Sequence, residues 1–250
     1  MSRPLPLPLP LLLLLPLVLA APARAAEPLV ADLTNHLVAI TTGFTGTNVV
    51  LFGATDGPGD VVVVVRGPDH DVVVRRKSRV GGIWMNKRQM TFQGVPSYYE
   101  LLSSKPLDDI MPAAVQGFHQ IGLPFMRMSV IEKRSPEDIA EFRAALMRQQ
   151  QREGLYPTGV GRVSFLGDRL FHATLTFPAN VPTGTYRLEV FLVRNGQVVS
   201  GQTSPLVVSQ VGIDAEVNDF ANRRALLYGF VAVIGAAMAG WLASLPFRNA

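Results

Sequence analysis

Hydrophobic and polar positions fall into four zones along the chain. Residues 1–25 and 225–245 are apolar almost throughout, whereas 26–103 and 160–212 show short β-rich runs cut by turn residues. Between them, 106–155 has the spacing of helices. In the first β zone, Asn48 to Ala54 ends at Thr55-Asp56-Gly57-Pro58-Gly59, a dense turn signal. Asp60-Val61 to Arg66 follows, then a Gly67-Pro68-Asp69 turn and Val72 to Arg76. The unbroken valines 61–65 predict a strand buried on both faces. Met90 to Val95 and Tyr98 to Leu102 are further strands.

In the helical zone, Ser135-Pro136-Glu137-Asp138 supplies an N-cap, a proline at the first position and acids in the first turn. Ile139, Phe142 and Leu146 then share one face, and Gly154 stands where a C-cap belongs. A weaker helix is expected within Asp108 to Gln120, with Asp108 as its cap. From 160 the period returns to two: Phe171, Ala173, Leu175 and Phe177 alternate with Leu170, His172, Thr174 and Thr176. Asn195-Gly196 between Thr185–Arg194 and Gln197–Ser200 is the strongest hairpin signal in the chain. Tyr186, just after Gly184 at a strand start, matches the tyrosine corner of immunoglobulin-like sandwiches, where the hydroxyl bonds nearby backbone. The predicted fold is therefore mainly β: an immunoglobulin-like β-sandwich with a helical insertion, plus one C-terminal transmembrane helix.

The two apolar ends set location. Arg3, the run Leu11 to Ala21 and Ala23-Arg24-Ala25 form a cleavable secretory signal, in which Pro4, Pro6, Pro8, Pro10 and Pro16 disfavour a spanning helix. Residues 225–245 hold no charge, about 32 Å as a helix, with Tyr228 and Trp241 near the two interfaces. Small residues Ala232, Gly235, Ala236, Ala239 and Gly240 form a stripe that admits a second helix, from an integral membrane partner or another copy of this chain. The expected organisation is a signal peptide at 1–25, a periplasmic sandwich at 26–212 with its helical insertion at about 106–155, a juxtamembrane segment at 213–224, a transmembrane helix at 225–245 and a cytoplasmic tail at 246–250. That is a single-pass protein of the inner membrane with its bulk in the periplasm. Arg223-Arg224 on the outer flank run against the positive-inside tendency, but long domains translocate largely regardless of charge.

The segment 66–107, with Arg66-Gly67-Pro68, Arg75-Arg76-Lys77, Trp84-Met85-Asn86 and Val95-Pro96-Ser97 as its most telling residues, together with the N-terminal signal and one C-terminal span, resembles a family of alphaproteobacterial transmembrane proteins. The similarity extends over nearly the whole mature chain. It implies topology and source, and a transport-linked role beside sulfite-exporter-like permeases, but no activity.

Charge changes the picture only locally. Without Arg3 and Arg24 the chain has 21 Lys and Arg against 19 acids, too small an excess to argue for nucleic acid. Between 61 and 105, however, eight cations face only Asp69, Asp71 and Glu100. Arg75, Arg76, Lys77, Arg79, Trp84, Lys87 and Arg88 are thus candidate contacts for a partner, an anionic headgroup or an inorganic anion. The bland alternative is a solvated edge whose charges discourage strand-to-strand aggregation. His119, Met126 and Met128 are weak candidates for copper(I), since thioether and imidazole suit that ion. Met126 and Met128 read equally as core residues on one face of a strand from Phe125 to Val130.

With no cysteine, thiolate sites and disulfides are excluded. No HExxH, His pair at i and i+4, DxDxDG, GxSxG or P-loop occurs, so no enzyme and no cofactor is expected. The functional expectation is a non-catalytic, membrane-anchored docking or accessory protein for another inner-membrane protein, a transporter among the options. The alternative is a module for copper(I) or an inorganic anion.

Overall fold

The computed structural model describes residues 27–80, 82–212 and 225–244. The signal segment 1–25, the juxtamembrane stretch 213–224 and the tail 246–250 lie outside them. Twelve strands occur among the described residues. Nine form one sheet in the order β1-β3-β10-β9-β7-β4-β11-β12-β2: β1 is Leu29–Leu33, β2 Leu37–Ile40, β3 Gly46–Thr55, β4 Asp60–Arg66, β7 Tyr99–Ser103, β9 Gly161–Leu166, β10 Leu170–Pro178, β11 Gly184–Arg194 and β12 Gln197–Gln210. A separate three-stranded sheet holds β5 (Asp69–Val80), β6 (Ile83–Pro96) and β8 (Ser129–Val130).

The large sheet has to curl. β1 pairs antiparallel with β3 at one end of the order and β2 pairs parallel with β12 at the other. Only residues 34–36 join the two, and at about 3.5 Å per residue they reach little further than the width of a few strands. The ends therefore approach one another, and the Gln202 amide of β12 seals them. Its Oε1 accepts from Ala31 N at 2.8 Å and its Nε2 donates to Ala31 O at 2.7 Å, as a neighbouring strand would. Along the middle, β7 and β9 pair in parallel through just Leu102–Gly161 and Ser103–Arg162.

The valines of β4 are buried on both faces, as their continuous apolarity predicts. Val61, Val63 and Val65 share the interior face with Leu188, Val190 and Leu192 of β11, while Val62 and Val64 share the other with Glu189, Phe191, Tyr99 and Leu101. That second face is covered by the helical segment: the His119 ring lies against Phe191, with centroids 5.4 Å apart. Arg66, at the end of β4, ion-pairs with Glu189 and donates to Gln120 O at 2.8 Å, which ties the segment to the sheet.

Local signals explain most boundaries. Asn195 and Gly196 both take positive φ (50° and 76°), the geometry a tight β11–β12 turn requires. Tyr186 is buried and its hydroxyl donates to Pro182 O at 2.6 Å, the bond expected of a tyrosine corner. β10 buries Phe171, Ala173, Leu175 and Phe177 in strict alternation.

Three expectations inside 106–155 are corrected. The helix within Asp108–Gln120 is two short ones, α1 (Leu107–Ile110) and α2 (Ala113–Phe118), because Met111 precedes Pro112 and is forced into an extended conformation (φ −153°, ψ 142°). The residue capping α1 is Pro106, not Asp108; Asp108 accepts from Gln116 Nε2 at 3.2 Å instead. Phe125 to Val130 is not one strand, since Gly122 at φ +96° and Pro124 fold Leu123–Phe125 into a 3-10 turn and leave only Ser129–Val130 paired.

The last helix, α4, runs Ala225–Ser244, 20 residues without a charge. The positions described beyond the backbone are 229, 230 and 233–241, all exposed, with Phe230, Val233, Ile234, Met238 and Trp241 the large apolar ones. Among the described residues no helix is long and apolar enough to cross a membrane.

Candidate functional site

β5 and β6 make a hairpin of 12 and 14 residues, much longer than the runs Val72–Arg76 and Met90–Val95 foretell. Val80 pairs with Ile83 at the tip, where the sequence reads Gly81-Gly82 and Gly82 takes φ +88°. That Gly-Gly pair between two β runs was the overlooked signal. The register slips between Arg76 and Lys77, leaving Lys87 without an opposite residue and breaking the strict alternation of the basic run.

The hairpin is held by α3 (Pro136–Arg152). Ser135 caps this helix by accepting from Asp138 N at 3.2 Å, Pro136 opens it, and Gly154 follows it at φ +72°. Phe142 and Leu146 of α3 pack on Val74, Met90, Phe92 and Val95, forming a small second core. Met128 touches both this core and the main one.

α3 also meets the hairpin's charge. Arg76 and Arg88 lie directly opposite one another in the hairpin. Each is taken by an α3 carboxylate, Arg76 by Glu141 at 2.8 Å and Arg88 by Asp138 at 3.1 Å. Two of the seven candidate contacts are therefore spent largely inside the chain. Arg75 is exposed beside them, and a cleft of about 290 Å³ has Val74, Phe142 and Ala145 as its floor and Arg75, Arg76 and Arg148 with Glu141 around it. Asp138, Glu141, Ala145 and Arg148 recur at i, i+3, i+7 and i+10, one helical face. That spacing was available in the sequence and, weighed against the basic run, points to these partners. The side chains of Lys77, Arg79, Trp84 and Lys87 lie outside the described residues, although β5 and β6 carry all four.

Met126 is buried and its sulfur accepts from the Tyr156 hydroxyl at 3.8 Å. The His119 ring packs between Phe118 and Phe191. No group of three or more His, Asp or Glu able to hold a metal ion occurs among the described residues. In the stripe of α4, Gly235, Ala236, Ala239 and Gly240 are exposed, and the side chain of Ala232 lies outside the described residues.

One acid away from the hairpin is electrostatically unusual. Burial pushes the Glu100 carboxyl up to about 7, against hydrogen bonds from the Tyr98 hydroxyl (2.8 Å) and Thr176 N (3.5 Å) that favour its charged form. Glu132, half-buried, is instead held below the usual carboxylate range by the Thr91 backbone N–H, with the Thr91 hydroxyl adding a second bond.

Compared with known proteins, the chain matches the family model described as "Putative transmembrane protein (Alph_Pro_TM)" over residues 28–249. No curated protein and no solved structure matches it.

Proposed function

Because the chain belongs to the Alph_Pro_TM family of transmembrane proteins, we propose that it is a non-catalytic docking or accessory module for another inner-membrane protein, anchored by α4 with its bulk in the periplasm. The described part of α4 does not by itself make a span, so the anchor rests on the sequence of the whole run 225–245, which carries no charge and as a helix would measure about 32 Å, the width of a bilayer core. Exposed Phe230, Val233, Ile234 and Met238 suit lipid better than water. The cleavable signal at 1–25 would put the sheet outside the cell membrane.

The scaffold we infer is an immunoglobulin-like sandwich. The order β1-β3-β10-β9 on one side and β12-β11-β4-β7 on the other follows the A-B-E-D and G-F-C-C′ sheets of that fold, and Tyr186 occupies the tyrosine-corner position at the start of the sixth. On such a scaffold the β5–β6 hairpin replaces the C–C′ turn and the helical segment follows C′.

The single observation that carries the docking reading is that hairpin: a ribbon in its own sheet, braced by α3, with a cationic cleft over an apolar floor. An acidic partner surface would meet Arg75 and Arg148 there, and the small-residue stripe of α4 would meet the partner inside the bilayer. Full-length protein purified from its native membranes in mild detergent should bring one integral membrane protein in stoichiometric amount. Arg75→Glu with Arg148→Glu should lose it, and Ala236→Leu with Gly240→Leu should weaken it. Unchanged recovery in the charge reversal would sink the reading.

A second reading draws on the same cleft: Arg75 and Arg148, beside the Glu141-paired Arg76 and over an apolar floor, also suit a small inorganic oxyanion. Sulfate should then raise the melting temperature saturably, and Arg75→Ala should abolish the rise.

A further inference from the structure

A larger cleft, about 650 Å³, lies between β7, the turn at 122–125 and the loop leading into β9. Tyr99, Leu101 and Ser103 alternate along β7 and all three line it, so one strand face forms its floor. Leu123, Phe125 and Val160 give it apolar walls. The cleft exists because β9 pairs with β7 only at its end, through Leu102–Gly161 and Ser103–Arg162.

Two hydroxyls on that floor are not fully used. Ser103 is 4% exposed, and its Oγ has no hydrogen-bond partner among the described residues. The adjacent Ser104 differs: its hydroxyl donates to Asp60 at 3.0 Å and accepts from Val61 N at 3.2 Å. Tyr99 Oη accepts from Gly122 N at 2.8 Å, and burial keeps its own proton in place for donation. At the Ser103 end stands Arg162, exposed and in no ion pair among the described residues, with Lys105 beside it, shared with Asp60 at 3.0 Å. Elsewhere the lining mixes the apolar Leu123, Phe125 and Val160 with Gln116, Gln151 and the exposed Asp108, whose carboxylate accepts from Gln116 Nε2 at 3.2 Å. Tyr99 and Ser103 are four residues apart, about 13 Å along a strand, so the trough is elongated, with Arg162 at its Ser103 end.

We propose that this cleft binds a single-chain amphiphile with an anionic head, the head at Ser103 and Arg162 and the chain along Leu101 towards Leu123 and Phe125. A buried hydroxyl lacking an acceptor and an uncommitted guanidinium both call for a carboxylate or similar acid. The volume is in the range of sites for such molecules. The proposal is independent of the docking function, which uses another face of the protein.

The test uses the full chain in lipid nanodiscs with carboxyl-labelled dodecanoate, empty discs serving as the blank and dodecyltrimethylammonium as the opposite-charge probe. Saturable binding of about one dodecanoate per chain is expected, with the cation not competing. Arg162→Glu, at an exposed position, should weaken binding at least about tenfold with no change in melting temperature, and Val160→Trp should block the trough. Ser103→Ala should weaken binding while leaving the fold intact. Binding no greater than in empty discs, equal competition by the cation, or an affinity unmoved by Arg162→Glu would each overturn the proposal.

Discussion

Arg76 and Arg88 face each other across the β5–β6 hairpin, and the repulsion expected of like charges in that position is relieved from outside the sheet, by Glu141 and Asp138 of α3. The same two contacts orient the helix on the hairpin and reduce the charge the hairpin can offer a partner.

Glu141→Gln should therefore have opposite effects on two measurements. Both groups are about half exposed, so the stability lost in denaturant unfolding should be below about 1 kcal/mol and smaller still in high salt. Recovery of an acidic partner should rise, because Arg76 is released. A fall in recovery would count against the cleft as the docking point.

Phe142→Ala should be costlier and more local. It removes one of the two phenylalanines of the second core, at about 3 to 4 kcal/mol by comparison with other buried aromatics. Hydrogen exchange should show β5 and β6 opening well before the nine-stranded sheet. Uniform loss of protection throughout the chain would mean that the two cores unfold as one.

Tyr186→Phe deletes one hydroxyl and leaves the ring in place. Pro182 O then loses its donor at 2.6 Å, and about 1 to 2 kcal/mol of stability should go with it. Equilibrium urea unfolding at neutral pH is the direct check.

Glu100 predicts a pH dependence with a definite sign. Its carboxyl is raised to about 7 in the folded chain, above its value in the unfolded one, so between roughly 4.5 and 7 the folded state holds the extra proton. Its contribution to stability is present at the acid end, falls by about 1 kcal/mol per pH unit across that window, and is flat above it. The difference in unfolding free energy between the native chain and Glu100→Gln should grow from pH 4.5 to 7 in favour of the variant. A difference independent of pH would place the Glu100 carboxyl near its ordinary value.

Much of this molecule is written in local pattern. Asn195-Gly196, the valines of β4, the alternation of β10 and the Ser135-Pro136 start of α3 each fix their own backbone through short-range sterics and capping, so each is legible without knowledge of what lies opposite. The same holds for the charge-free run at 225–245, whose length and composition are set by the sequence alone.

Local pattern could not decide what distant segments do to one another. Ser103 appears in the sequence as an unremarkable strand residue; it becomes an unpaired hydroxyl in a trough only because β9 meets β7 at two residues. The basic run from Arg75 to Arg88 can be counted in the sequence, but which arginines remain free depends on where α3, 50 to 65 residues later, lays Asp138 and Glu141. Glu100 has an ordinary carboxyl until tertiary packing removes it from water beside the Tyr98 hydroxyl and Thr176 N. Burial, ion pairing and cavity shape arise from long-range packing, so the sequence determined the elements and their order while the tertiary structure alone selected the groups left with chemistry to spare.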